Sequence, residues 1–219
     1  MTLPYVGNDI VDLTDPGARG KSRNIRFVNR VFIPDEQRQI FESSHPDIVL
    51  WALWAGKETA YKIIRKSIAG APFIPLLYKV SRPEGWKEAG RSPLENGHIP
   101  GITDTPWGKV KIRFFITCDY IHCIGTMDLS GGIDSVVWKV DLLPPVRKAI
   151  VGYESAFLRE TIRRHLSVFL NRTPEEIEIR RSEGASGPPF VYLKDKPAGI
   201  DISLSHDGKF TAYAFISGG

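Results

Sequence analysis

Between Asp47 and Ser67 the apolar residues Leu50, Trp51, Trp54, Tyr61 and Ile64 recur near a 3.6-residue period, which predicts one long helix. A second helical pattern runs from Glu154 to Leu170. Arg23 to Arg30 reads as a short helix. Pro34-Asp35-Glu36 opens another, because Pro suits the first helical position and acidic residues suit the first turn. Val6 to Leu13, Val110 to Thr126 and Ser135 to Leu143 are rich in β-branched and aromatic residues and read as strands. Thr14-Asp15-Pro16-Gly17 turns the first of them. Pro174 to Arg180 is expected to turn into a short strand. Ile200 to Ser205 and Phe210 to Ser217 form a hairpin about Asp207-Gly208. Residues 68–109 hold many Pro and Gly and read either as short edge strands or as a long loop. Gly184 to Pro189 is a Gly/Pro loop, and Leu143-Pro144-Pro145-Val146 is the best linker. Each side of it carries a helix and antiparallel strands. The pattern predicts an α+β fold of two similarly built halves, 1–145 and 146–219.

The chain has 219 residues, 42% of them hydrophobic, enough for a sizeable core. Its formal net charge is +4, which suits anionic partners such as nucleotides, phosphates, nucleic acid or an acidic protein, without choosing among them. Cys118 and Cys123 fall in the Val110–Thr126 stretch. Their odd separation puts them on opposite faces of one strand, so they are not expected to pair. With His122 between them they match no common zinc spacing and read as buried apolar cysteines. The first residues carry Asp9, Asp12 and Asp15 without an apolar core of the signal-peptide kind. No uncharged run approaches the ~20 residues needed to span a bilayer. A cytoplasmic protein is the expectation.

Candidate chemistry gathers in three short segments. On the first strand, alternation puts Gly7, Asp9, Val11 and Leu13 on one face. A carboxylate there is costly unless it is paired, bound to metal or solvated at the strand end. On the long helix, Trp54, Glu58 and Lys62 share a stripe one turn apart. Glu58 and Lys62 stand in the order of an ordinary surface ion pair, but the stripe borders an apolar face. Lys57 points about 100° away, towards a phosphate or another carboxylate. At the C-terminal hairpin, Ile200, Ile202, Leu204 and His206 occupy one face of the strand and Ser203 and Ser205 the other. An imidazole just before a turn can be structural or can donate to a phosphate oxygen. Arg159 and Arg163, one turn apart on the second long helix, make either a phosphate clamp or a solvated basic face.

Gly-x-Asp on a strand, Trp-x-x-Lys-Glu-x-x-x-Lys on a helix and Ser-x-Ser-His before a turn together resemble the 4′-phosphopantetheinyl transferase superfamily. Arg30-Val31-Phe32-Ile33-Pro34-Asp35-Glu36 resembles that family's segment ending in a Glu. The chain has the length of the larger, surfactin-type enzymes and the motif order of the small holo-acyl-carrier-protein synthases. The resemblance therefore implies a pseudodimer with its halves in swapped order and an active site between them. It implies transfer of 4′-phosphopantetheine from coenzyme A to a serine of an apo acyl or peptidyl carrier protein, releasing adenosine 3′,5′-bisphosphate. Asp9 and Glu58 would bind Mg²⁺, with Mn²⁺ as an alternative. Lys57 and Lys62 would neutralise the pyrophosphate, Ser205 and His206 would hold CoA phosphates, Arg159 and Arg163 would take the 3′-phosphate, and Glu36 would line the site. Asp9, Glu58 and Lys62 would carry catalysis, with Glu58 or a metal-held water taking the serine proton. Two departures stand out. Val11 replaces the third metal-ligating carboxylate of the surfactin type, and Pro188 replaces the Lys of a Gly-Lys-Pro motif. The pseudodimer implies a monomer. Rival readings are a nucleic-acid-binding module, against which the chain shows no interleaved aromatic pattern, and a CoA-binding pseudoenzyme.

Overall fold

The computed structural model describes residues 4–81, 97–127, 132–145, 151–181 and 187–218. Val146 of the expected linker and residues 184–186 of the Gly/Pro loop lie outside them.

The described residues form two five-stranded antiparallel sheets, each packed on a long helix. The first sheet holds β1 (Val6–Asp12), β2 (Lys79–Ser81), β3 (Ile99–Thr105), β4 (Gly108–Ile116) and β5 (Tyr120–Thr126) in the order β1-β5-β4-β3-β2. The second holds β6 (Val137–Leu142), β7 (Ile177–Arg181), β8 (Pro189–Leu193), β9 (Lys196–Asp207) and β10 (Phe210–Ser217) in the order β6-β10-β9-β8-β7. Helices α1 (Ile25–Val31), α2 (Pro34–Phe41) and α3 (Pro46–Ser67) belong to the first half, and α4 (Tyr153–Leu170) to the second. The α+β expectation of two similar halves holds. The chain crosses between sheets before Val137, so β6, on the N-terminal side of residue 145, is an edge strand of the second sheet. No helix among the described residues is long and apolar enough to cross a membrane.

One of the expected elements is revised. The stretch from Val110 to Thr126 is a hairpin, not one strand. Thr117 Oγ1 accepts from the backbone N–H of Asp119 and of Tyr120, closing a turn that β-propensity alone does not reveal. Cys118 is therefore exposed in that turn, whereas Cys123 is buried as expected; both are free. The 68–109 segment contributes β2, β3 and the start of β4, in line with the short-strand alternative.

α3 begins with Pro46 in its first turn, where the missing N–H costs nothing. Its buried face (Leu53, Ala60, Ile63, Ile64) packs on Ile112, Phe114 and Ile121 of the first sheet. Gly7 makes this approach possible. A Cβ there would lie 2.3 Å from the Thr59 carbonyl oxygen and 2.8 Å from Ile63 Cγ1. The space at Gly7 thus belongs to the helix rather than to a ligand. In the second half, Leu158, Ile162 and Leu166 of α4 pack on Ile200, Ile202, Tyr213 and Phe215.

The halves meet along β1. Its even residues face the second sheet. Val6 packs with Ala214 and Ile216, and Ile10 with Phe210 and Ala212. β1 is an edge strand, so half its N–H groups lack a strand partner. Side chains of β9 satisfy three of them. Val6 N donates to Asp201 Oδ2 (2.7 Å), Asn8 N to Ser203 Oγ (2.9 Å) and Asp12 N to Asp207 Oδ2 (2.8 Å), all at the same sequence offset of 195. In the alternation Asp201-x-Ser203-x-Ser205-x-Asp207, all but Ser205 accept from the backbone of this edge, and Ser205 accepts from the Asn8 side chain. Asp12 reciprocates by accepting from Lys209 N at 3.0 Å.

Candidate functional site

The long helix and β1 bring three of the expected residues together. Lys62 Nζ donates to Asp9 Oδ1 and to the Asn8 carbonyl, both at 2.8 Å. Asp9 is 8% exposed, on the β1 face that meets α3. Burial raises its carboxyl above the usual range and Lys62 opposes this, while the Asp207 charge pushes it up further. Glu58, one turn before Lys62, is pushed up to about 7. Burial is the main cause and the Asp9 carboxylate adds to it, with Lys62 again opposing. The Asp9 charge acts on Glu58 and the Asp207 charge on Asp9, so the carboxylates occupy one neighbourhood whose negative charge Lys62 offsets only in part.

Beside them opens a cavity of about 260 Å³ between the halves. α3 supplies Tyr61, Lys62, Arg65 and Lys66. α4 supplies Ser155, Leu158 and Arg159. Arg181 of β7, the Gly187–Pro189 stretch and Ser203, Leu204 and His206 of β9 close it. His206 is exposed at its rim. Arg159 Nη1 donates to the Ile179 carbonyl at 3.1 Å. Burial and the nearby Arg181 charge make its proton easier to lose than usual. Six cationic or imidazole side chains line this one cleft, two of them, Lys62 and Lys66, ion-paired with Asp9 and Asp201.

Other expected residues lie elsewhere. Lys57 is fully buried in an ion pair with Glu36, 2.7 Å from Oε2, and also donates to the Pro75 and Tyr78 carbonyls. Its ammonium is consumed by carboxylate and carbonyls, so Lys57 does not face the cleft. Glu36, also buried, accepts from Lys57, Ile33 N and Val80 N and does not line the cleft either. The helical offset from Lys62 was legible in the sequence. That the other side of α3 meets α2 was not. Arg163 turns from the cleft to pair with Glu160, whose other oxygen holds Arg164. Ser205 is buried and accepts from Asn8 Nδ2 at 3.0 Å. Val11 is buried in the apolar core of the first half, while Pro188 lines the cleft.

Sequence reasoning missed Asn8, Lys66 and Asp201. Lys66 Nζ, barely exposed, donates to Asp201 Oδ2, Val6 O and Ile202 O, each at 2.7 Å. Burial moves both partners toward their neutral forms and their attraction opposes it. A spacing of four residues from Lys62 was the available signal for Lys66. Asp201 had none, since its partner is 135 residues away.

Whether a divalent cation fits can be judged from the donor set. Asp9 and Glu58 are hard oxygen donors whose carboxyls are raised by burial, Glu58 further by Asp9 and Asp9 by Asp207, the charge excess that a cation relieves. Among the described residues no cluster of three or more His, Cys, Asp or Glu could hold a metal. Two carboxylates with remaining positions left to water and phosphate oxygens are what Mg²⁺ tolerates.

Residues 5–83 match a family model of the 4′-phosphopantetheinyl transferase superfamily (ACPS). The match spans Gly7, Asp9, Glu36, Lys57, Glu58 and Lys62, so the resemblance read from the motifs holds over this segment. Ser205 and His206 lie beyond it. No curated protein matches the chain significantly. Among solved structures, the Thermotoga maritima holo-[acyl-carrier-protein] synthase (AcpS) is similar at 14% identity and a TM-score of 0.39, over 90% of this chain and 86% of that one.

Proposed function

We propose that the protein transfers the 4′-phosphopantetheine arm of coenzyme A to a serine hydroxyl of an apo carrier protein. The observation that carries this reading is the adjacency of the Asp9–Glu58 pair to a cationic cleft between the halves, with Lys62 bordering both. The superfamily match over residues 5–83 supports the reaction class.

In this reading the CoA phosphates occupy the cleft. Lys62, His206, Arg159 and Arg181 meet their charge. The serine oxygen attacks the pantetheine-side phosphorus. The new phosphoester forms as the bond to adenosine 3′,5′-bisphosphate breaks and that group leaves. Mg²⁺, held by Asp9 and Glu58, would neutralise charge on the diphosphate. Lys62 fixes Asp9 and places a compact positive charge at the cleft mouth. Glu58, or a water held by the cation, would take the serine proton. Positioning and charge stabilisation supply most of the acceleration for such a transfer. A chain of net charge +4 would also steer acidic carriers towards itself.

The test is direct. The protein is incubated with CoA, Mg²⁺ and several apo carrier proteins, and intact-mass spectrometry reads the added phosphopantetheine on the carrier serine. Mass gain that requires Mg²⁺ and is lost in Asp9→Ala supports the reading. CoA binding without mass gain on any carrier would replace it with a CoA-binding pseudoenzyme.

A further inference from the structure

Asn8 sits between Gly7 and Asp9 on β1, fully buried against the second sheet. Its contacts join β1, α3 and β9 at the candidate site. Its carbonyl accepts from Lys62 Nζ at 2.8 Å. Its N–H donates to Ser203 Oγ at 2.9 Å, and its Nδ2 donates to Ser205 Oγ at 3.0 Å. Nδ2 also lies 3.3 Å from His122 Nε2. Two of these bonds are made by the backbone and would survive any side chain. The Ser205 bond needs the amide.

This amide is an expensive choice for packing alone. Its Oδ1 is buried with no partner, and so is His122 Nδ1 beside it. Unpaired buried polar atoms destabilise a fold. Val6 and Ile10 face the same inter-sheet layer and fill it with carbon. An aliphatic residue at position 8 would leave no orphaned amide oxygen. The amide's distinct gain is a fixed link between the strand that carries Asp9 and the strand end that carries Ser205 and His206.

We propose that Asn8 is a positioning residue: its side-chain amide pins Ser205, and through the strand His206, at a set distance from the Asp9–Lys62 pair, so that one diphosphate can span both. The inference rests on the transfer reading, because it assigns the cleft between those groups to CoA phosphates. Asn8 touches no substrate itself and acts through Ser205.

The test measures CoA affinity by calorimetry and transfer kinetics on the intact chain. Asn8→Ala is expected to raise the CoA dissociation constant and KM about ten-fold, the scale of one buried hydrogen bond, with kcat at saturating CoA within about two-fold. In a Ser205→Ala background the same change should add less than about two-fold, because the link is already broken. If Asn8→Ala does not fold, Asn8→Ser is read in its place, since its short hydroxyl cannot reach Ser205 from this position. Unchanged CoA affinity in a folded variant, or full additivity with Ser205→Ala, overturns the proposal. Wild-type protein that binds CoA but modifies no carrier defeats the transfer reading while leaving the affinity test of Asn8 intact. Wild-type protein that binds no CoA removes both.

Discussion

Lys66 on the long helix of the first half and Asp201 on β9 of the second form a buried ion pair at 2.7 Å, and the same Asp201 oxygen accepts the Val6 N–H of β1. Three elements from both halves therefore meet at one carboxylate. Lys66 borders the cationic cleft, yet its ammonium already has three acceptors. It braces the cleft wall and adds charge.

Removing one member of this pair leaves the other charged and buried. Lys66→Met or Asp201→Asn should lower unfolding stability by about 3–5 kcal/mol. Urea denaturation of each variant checks this. A loss under about 1 kcal/mol would show that this pair does not hold the halves together.

Glu58 links function to stability with opposite signs. Its carboxyl titrates near 7 in the fold against 4.5 when unfolded. Between those values the native state holds a proton that the unfolded chain has lost. Stability from this group is therefore full below about 4.5 and falls as pH rises through about 7. At pH 8 and without divalent metal, Glu58→Gln should raise Tm by about 2–4 °C, the shift expected per kcal/mol for a chain of this size. The same variant, and Asp9→Ala, should cut transfer by at least ~10². Adding Mg²⁺ should raise the Tm of the wild type and not that of Glu58→Gln. A lower Tm for Glu58→Gln at pH 8 would mean the carboxylate is stabilised by contacts other than a cation.

His206 stands exposed at the cleft rim, next to the buried Ser205. His206→Ala should weaken CoA binding about ten-fold and leave the rate of the bound complex within a few-fold, as for loss of one charge-assisted hydrogen bond. Calorimetry with CoA and single-turnover kinetics separate the two. Equal affinity in variant and wild type removes His206 from phosphate binding.

Lys57 and Glu36 are buried partners remote from the cleft lining. Lys57→Met should destabilise the chain on the scale of a broken buried pair, about 3–5 kcal/mol, whereas CoA affinity of the folded fraction stays near wild type. A folded Lys57→Met protein with strongly reduced CoA affinity would return Lys57 to the phosphate site. The double change Lys57→Met with Glu36→Met should recover part of the stability, since neither charge then lies unpaired.

Periodicity along the chain was enough to place both long helices, the first strand and the C-terminal hairpin, because each obeys a local rule of side-chain direction. The same local rules put Glu58 beside Lys62 and separated Lys57 from them. The motif spacing pointed to the superfamily that residues 5–83 match. What lay on the far side of each exposed-looking residue could not be read locally. Lys57 found Glu36 because α2 folds back on α3. Ser205 lost its exposure because β1 lends it an amide. Arg163 turned to Glu160, and Arg181 joined Arg159 at the cleft. Periodicity tells which face a side chain takes, whereas its partner is chosen by packing between segments up to 197 residues apart, as for Asn8 and Ser205. Burial then decides the chemistry, by setting which charges are paired in the interior and which remain to meet an anion.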